Sequence, residues 1–119
     1  MGGFLTKEMI LQADDRKLKK VEVPEWGGHV FIRTMTGEER DLFENLCQSN
    51  KRGASIDITE LRANLLALVI VDPDGKRLFT QKEVKDLNLK NGKVLSDLFE
   101  EARKINGIGD DELAELEKN

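Results

Sequence analysis

The chain has 119 residues, of which 39% are hydrophobic and 35% charged, and its formal net charge is −4. That length supports one modest core, and the acidic balance argues against a nucleic-acid backbone as the main partner, because such binding rests on clustered cations. The longest apolar run, Leu65 to Val71, is far shorter than a membrane span, and the single Cys47 cannot form an internal disulfide, which fits a reducing cytoplasm. We therefore expect one domain over residues 1–119.

The first predicted element is a short helix near the N-terminus. Thr6 has the side chain of an N-cap, and the helix is expected to run to about Asp14. Met9 and Ile10 would be its apolar contacts. The polar run "DDRKLKK" then connects this helix to the next element.

The stretch "VEVPEWGGHVFIR", from Val21 to Arg33, predicts a β-hairpin. Apolar and charged residues alternate on both sides of "EWGG", and two glycines suit the positive φ angles of a tight turn. We expect four side chains to be buried, namely Val21, Val23, Val30 and Ile32, with Glu22 and Arg33 exposed. Trp26 should cover one end of the core, with its indole N–H at the rim or hydrogen-bonded.

The alternative interpretation of this stretch is chemical, with His29 as a base or a metal ligand. A lone histidine on a strand, without a cysteine or second histidine nearby, is a weak candidate for either role. We therefore interpret the stretch as a turn between two strands.

Helices follow the hairpin. Thr36 and Glu39 have the spacing of a capping box, and the stripe behind them consists of Leu42, Phe43, Leu46 and Cys47. Cys47 is then a small core residue. A second helix starts at Asp57, and its aliphatic residues, Ile58, Leu61, Leu65, Leu68 and Val69, should form the centre of the core.

Three more helix starts are visible downstream. Thr80 and Glu83 repeat the capping spacing, and Asn91 can cap a longer helix whose stripe is Val94, Leu95, Leu98, Phe99, Ala102 and Ile105. Gly107 stands where a helix end favours a left-handed residue. Residues 109–119 predict an acidic, mobile C-terminal helix. The fold class is therefore α+β, with one antiparallel hairpin packed against four to five α-helices.

One segment imitates a calcium loop. "DPDGKRLFTQKE", from Asp72 to Glu83, is twelve residues long with acids at both ends. Starting the loop at Asp72 places Lys76 at a ligand position and Arg77 where the glycine belongs, so the EF-hand pattern fails. "DPDG" instead predicts a β-turn. We expect no metal, no cofactor and no catalytic residue, since neither a phosphate-binding loop nor a nucleophile elbow is present.

Two segments of the chain resemble the tail assembly chaperones of long-tailed, siphovirus-type bacteriophages. The first is "LTKEMILQADD…KKVEVPEWGGHVFIRTMTGEERDLFE", and the second is "LRANLLALVIVDPDGKRLFTQKEVKDL". The most specific element is "VPEWGG" followed closely by "TGEER". The resemblance covers nearly the whole chain.

This resemblance implies a non-catalytic protein of the host bacterial cytoplasm, made by a phage or prophage and absent from the mature virion. It implies that the chain binds the phage tape measure protein, a long helical protein whose apolar stripes would otherwise aggregate, until tail-tube subunits assemble around it. Membranes and nucleic acid are not expected partners. The alternative is a structural tail or connector subunit of the phage particle.

A chaperone of this kind needs an apolar surface that receives amphipathic helices. Helices with two adjacent apolar residues per turn are broader than one-sided packing requires, so one flank can face a partner or a second subunit. A wider core contact is the other explanation. The candidate partner-binding residues are Trp26, Phe31, Leu42, Phe43, Leu98 and Phe99. We also expect weak self-association through the open hairpin edge or the broad helical faces.

The resemblance further implies a longer product made by ribosomal slippage near the end of the gene. Glu117, Lys118 and Asn119 can be encoded GAA-AAA-AAC, which contains the slippery heptamer A-AAA-AAC. Such an extended form would carry a second domain and tether the tape measure protein to tail-tube protein.

Overall fold

A computed structural model describes residues 3–53 and 58–117 of the chain. In chain order the elements are α1 (Lys7–Gln12), β1 (Leu18–Val23), a 3-10 turn (Pro24–Trp26), β2 (Gly28–Arg33), α2 (Gly37–Gly53), α3 (Ile58–Val69), β3 (Ile70–Val71), a second 3-10 turn (Gln81–Glu83), α4 (Val84–Leu87), α5 (Gly92–Ile105) and α6 (Asp110–Glu117). The predicted α+β class is confirmed. The described ranges contain six α-helices, two of which, α1 and α4, are shorter than two turns.

The predicted hairpin is present, with β1 and β2 antiparallel and Val21 opposite Val30. Gly27 takes the left-handed conformation, with φ of 77°, at the end of the 3-10 turn, which a side chain would resist. Val23 and Ile32 are buried as expected, whereas Val21 and Val30 are partly buried and pack against the core. The alternation of valine and charge therefore identified the correct face.

A third strand, which the sequence analysis did not predict, extends the sheet. Ile70 and Val71 of β3 lie opposite Ile32 and Phe31 of β2, so the strand order is β1-β2-β3. The strand follows α3 directly and ends at the "DPDG" turn. Two residues are too few to show a period of their own, which explains why the pattern gave no sign of them.

The "DPDG" segment is a turn, as predicted. The amide of Gly75 donates to the carbonyl of Asp72 at 2.8 Å. The Asp72 carboxylate accepts the amides of Asp74 at 2.8 Å and Lys76 at 3.0 Å. That carboxylate therefore holds its own loop in shape.

The expectation that Arg33 is exposed is wrong. Arg33 is partly buried, and its guanidinium donates a hydrogen bond to the carbonyl of Gly75. Arg33 does lie on the outer face of the sheet, as its place in the alternation indicated. It is covered because the turn after β3 folds over that end of β2.

Helix α3 is the centre of the core, as predicted. Leu61, Ala63 and every residue from Leu65 to Val69 are buried, because α3 packs against α2, α4 and α5. Its second half, Leu65 to Val69, is apolar on all sides, and such a segment is expected to be surrounded in this way. Its buried polar residue, Asn64, accepts a hydrogen bond at its Oδ1 from the side-chain Nε2 of Gln81 at 2.8 Å.

The predicted caps are confirmed where the structure describes them. Thr36 Oγ1 accepts from the amide of Glu39 at 3.1 Å, and the Glu39 carboxylate accepts from the amide of Thr36 at 2.9 Å. Asn91 accepts from two amides at the start of α5, and Gly107 has φ of 68° beyond its end. The predicted cap at Asp57 lies outside the described residues.

Ion pairs attach α6 to the rest of the molecule. Arg40 of α2 pairs with Glu112, and Arg103 of α5 pairs with Asp110 at 2.8 Å. Leu113 is partly buried against the core. The mobility of residues 109–119 stays a prediction.

Helix α1 differs from expectation. Met9 and Ile10, predicted to make apolar contacts, are 52% and 57% exposed, and α1 contains no buried residue. The Thr6 cap is present, accepting from the amide of Met9 at 3.2 Å. The helix therefore forms locally without a neighbour to cover it.

Candidate partner-binding surface

Trp26 lies where the chain turns from β1 to β2. Pro24 opens the 3-10 turn that carries it, and a proline at this position is already close to the required φ. Trp26 is partly buried and packs against the core from the hairpin end, as the sequence predicted. One part of the indole therefore contributes to stability and another part faces outward.

A cleft of about 240 Å³ opens beside Trp26. Its apolar walls are Trp26, Phe79 and Leu87, and the charged side chains of Asp86 and Lys90 stand at its edge. The capping interaction between Thr80 and Glu83 fixes the chain in front of α4, with the Thr80 amide donating to the carboxylate at 2.8 Å. An apolar cleft with charged edges suits one apolar side chain of an amphipathic partner.

Phe31 and Leu42 are accessible on other faces. Phe31 lies on the outer face of the sheet, partly buried, with its ring edge-to-face against His29 at a centroid distance of 5.3 Å. Leu42 is 39% exposed on α2. The two side chains and the Trp26 cleft thus lie on different elements.

Three of the proposed partner-binding residues lie in the core instead. Phe43 is 1% exposed, Leu98 is 2% exposed and Phe99 is 5% exposed. Helix α5 packs against α3 and both hairpin strands, so its broad apolar face is covered. For these three residues, the wider core contact is the explanation that fits the structure.

The N-terminal segment of residues 4–11, which we call the apolar arm, presents the largest exposed apolar group. Five of the nine large hydrophobic residues exposed in the described part of the chain belong to it: Phe4, Leu5, Met9, Ile10 and Leu11. The sequence analysis missed this surface. Its signal was the density of apolar residues in "FLTKEMIL", which is more than a six-residue helix can bury on one side.

His29, the residue considered as a base or metal ligand, lies on the protein surface. Its side chain is exposed, with its Nδ1 3.9 Å from a carboxylate oxygen of Glu22. Within residues 3–53 and 58–117, no group of three or more potential metal ligands gathers at one place. No helix in these ranges has the length and apolar character of a membrane span.

Two cations have pKa values shifted by neighbouring acids. A hydrogen bond to Asp97 raises the pKa of Lys93, and a hydrogen bond to Glu100 raises the pKa of Arg103. The Lys93 pair lies on an exposed helix surface, whereas the Arg103 side chain is largely covered and Glu100 is partly exposed. Both shifts stabilise the protonated cations and give neither residue the character of a base.

Comparison with known proteins agrees with the architecture. The sequence profile of a family described as phage tail assembly chaperone matches residues 6–119. A solved structure, the tail assembly chaperone of bacteriophage HK97, is similar in fold, with a TM-score of 0.60 and 24% sequence identity over 87% of this chain and 95% of that chain. A comparison with curated proteins finds no match. Because the family profile spans almost the whole sequence, the chain belongs to the phage tail assembly chaperone family.

Proposed function

We propose that this protein is a non-catalytic chaperone that binds the phage tape measure protein, keeps it soluble and brings tail-tube subunits to it. The single observation that carries the proposal is the apolar arm. Within residues 4–11, five large hydrophobic side chains are exposed, and exposed apolar groups of this density are typical of protein-binding surfaces.

The chemistry of the surface suits an amphipathic helix. The arm offers apolar side chains on α1, and the Trp26 cleft offers a receiving site with Asp86 and Lys90 at its edge. Helices are bound through apolar side chains at helical spacing. Trp26, Phe31 and Leu42 remain the proposed contact residues from the sequence, to which the arm is added.

Weak self-association is part of the proposal, because coating a long filament favours repeated contacts. The structure limits where it can occur. Strand β3 covers part of the β2 edge, at Phe31 and Ile32, and the apolar face of α5 is buried. The open β1 edge and the apolar arm remain, and we assign contacts between copies to the arm, where five large hydrophobic side chains are exposed.

Recruitment of tail-tube protein is assigned to a longer product of the gene. The slippery heptamer proposed over codons 117 to 119 would place the additional domain after α6, which ends at Glu117. The gene sequence tests this directly. A guanine at the third base of codon 117 or 118, or an early stop in the shifted frame, would refute it.

The place of action follows from the proposed role. A chaperone that coats the tape measure protein works in the host bacterial cytoplasm and leaves as the tube forms. We expect mass spectrometry of purified virions to lack this chain. Its presence there at a structural copy number would favour a tail or connector subunit.

The binding experiment co-expresses the chain with a tape measure protein and measures the soluble fraction of the latter. We expect the wild-type chain to keep the tape measure protein soluble and Ile10→Gln in the arm to reduce that fraction. Leu78→Gln is the matched control, since Leu78 is 52% exposed and Ile10 is 57% exposed. Equal solubility with and without the wild-type chain would refute the proposed function.

A further inference from the structure

The outer edge of β1 is an open backbone edge. Among the residues that the structure describes, β2 is the only strand that pairs with β1. The amide of Thr34 donates to the carbonyl of Lys17 at 3.1 Å, so the backbone groups of Lys17 point toward β2. In an antiparallel ladder, residues whose backbone groups point toward the partner strand alternate with residues whose groups point away. It follows that the backbone groups of Leu18, Lys20 and Glu22 point away from β2, toward the open edge.

A groove of about 270 Å³ lies between this edge and α5. Its apolar lining consists of Val21, Val23, Pro24, Val94 and Leu98. The α5 residues at positions 94, 97, 98 and 101 form one stripe along the helix. Because neighbouring strands are about 4.8 Å apart, one further strand beside β1 would lie over that stripe.

The rim of the groove is acidic. Its carboxylates are those of Glu22, Glu25, Asp97 and Glu101. Lys19 pairs with Glu101, and Lys93 pairs with Asp97 at 2.9 Å. Lys20 lies on the same face of β1 as Glu22, so three lysines face four carboxylates. The excess of carboxylates favours a basic segment as the occupant. A second copy paired antiparallel about Val21 would place Lys20 opposite Glu22, and dilution of the free protein distinguishes that case.

We infer that the β1 edge and its groove bind an extended, basic segment of a partner protein as an added antiparallel strand. Antiparallel pairing matches the rest of the sheet. The partner side chain opposite Val21 lies on the core-facing side and reaches only the small part of Val94 and Leu98, 3% and 2% exposed, that lines the groove. The side chains two residues before and after it reach the acidic rim, so the preferred sequence has an apolar centre flanked by lysine or arginine. This inference does not depend on which partner the apolar arm binds.

The test uses a synthetic peptide, acetyl-Lys-Thr-Val-Thr-Lys-amide, added to the full chain labelled for NMR. We expect chemical-shift changes at the backbone of Lys20 and Glu22 and at the methyl groups of Val94 and Leu98. The matched peptide acetyl-Glu-Thr-Val-Thr-Glu-amide should bind about tenfold more weakly at low salt, because the rim repels it. Equal affinity for the two peptides, or changes confined to other surfaces, would overturn the inference.

Backbone methylation of the peptide tests the strand register. The two threonines lie opposite Lys20 and Glu22, so their N–H groups donate to β1, while the central valine N–H points to solvent. N-methylation of both threonines should therefore abolish binding, and N-methylation of the valine should preserve it. Any other pattern would contradict the added antiparallel strand.

Two protein variants distinguish binding in the groove from a general effect of the protein's net charge. Asp97→Asn should weaken binding of the lysine peptide about threefold, whereas Asp111→Asn on α6 should leave the affinity unchanged. Equal effects of the two substitutions would show that binding depends only on net charge, and they would overturn the inference that the peptide binds in the groove. Protection of the Lys20 and Glu22 amides that disappears on dilution of the free protein would assign the edge to a second copy.

Discussion

Replacing Phe43 and Leu42 separately by alanine should give very different results, although the two residues are adjacent on α2. Phe43 is 1% exposed and belongs to the core cluster, whereas Leu42 is 39% exposed. Phe43→Ala should lower the free energy of unfolding by about 3–4 kcal/mol, because it removes a fully buried ring and leaves a cavity. Leu42→Ala removes a side chain that water already reaches, and alanine is an excellent helix former, so its cost should be about 0.5–1 kcal/mol.

Urea unfolding followed by circular dichroism measures both values. The midpoint should fall strongly for Phe43→Ala and only slightly for Leu42→Ala, with the slope of the transition unchanged. In a thermal scan, the difference of roughly 2–3.5 kcal/mol between the variants corresponds to about 8–14 °C in Tm for a domain of this size.

The result also separates core from partner-binding residues. Leu42→Ala should keep the protein folded while weakening the proposed binding to a tape measure protein. A cost near zero for Phe43→Ala together with lost binding would place Phe43 at an interface and refute the packing described here. Equal destabilisation by the two substitutions would also refute it.

Three further outcomes follow from the structure. Trp26→Ala should lower the free energy of unfolding in urea by about 1–2 kcal/mol, less than the loss of a fully buried aromatic residue. It should also weaken partner binding measured by co-sedimentation, because the indole forms one wall of the apolar cleft. Gly75→Ala should cost at least about 1–2 kcal/mol by the same assay, because Gly75 has φ of +88° and a Cβ there would lie 2.6 Å from a guanidinium nitrogen of Arg33; an unchanged midpoint would contradict the turn. The pKa of Lys93, measured by NMR titration, should lie above the usual value of 10.5 and fall in Asp97→Asn. Because the folded pKa is raised, the stabilisation from this pair is complete below the unfolded pKa and disappears as the pH rises through the folded pKa; an unaltered Lys93 titration in Asp97→Asn would contradict the ion pair.

Local patterns predicted the hairpin and the helix starts because short-range physics determines them. The alternation around Val23 and Ile32 identifies the buried face, and a left-handed Gly27 fits the turn. The capping box at Thr36 involves atoms only three residues apart. Such features are complete within one stretch of sequence.

The errors lie where distant segments meet. Arg33 is partly buried because the Gly75 turn, far along the chain, covers it. Leu98 and Phe99 form an adjacent apolar pair, as do Leu42 and Phe43. Periodicity alone therefore predicts an equally wide apolar face on both helices. Their different exposure depends on neighbours, because α5 is covered by α3 and by the sheet, whereas α2 packs against α3 and α6.

The apolar arm illustrates how stability and binding are divided in this molecule. The buried aliphatic residues of α3 and α5 supply the hydrophobic stabilisation, while the arm, with Phe4 96% exposed and Leu11 75% exposed, adds almost none. Its side chains remain in water until another molecule covers them, so the free energy of burying them is available for association. Substitutions in the arm should therefore change binding and leave the unfolding midpoint nearly unchanged. That separation allows the proposed binding surface to be mapped by substitutions that leave the fold intact.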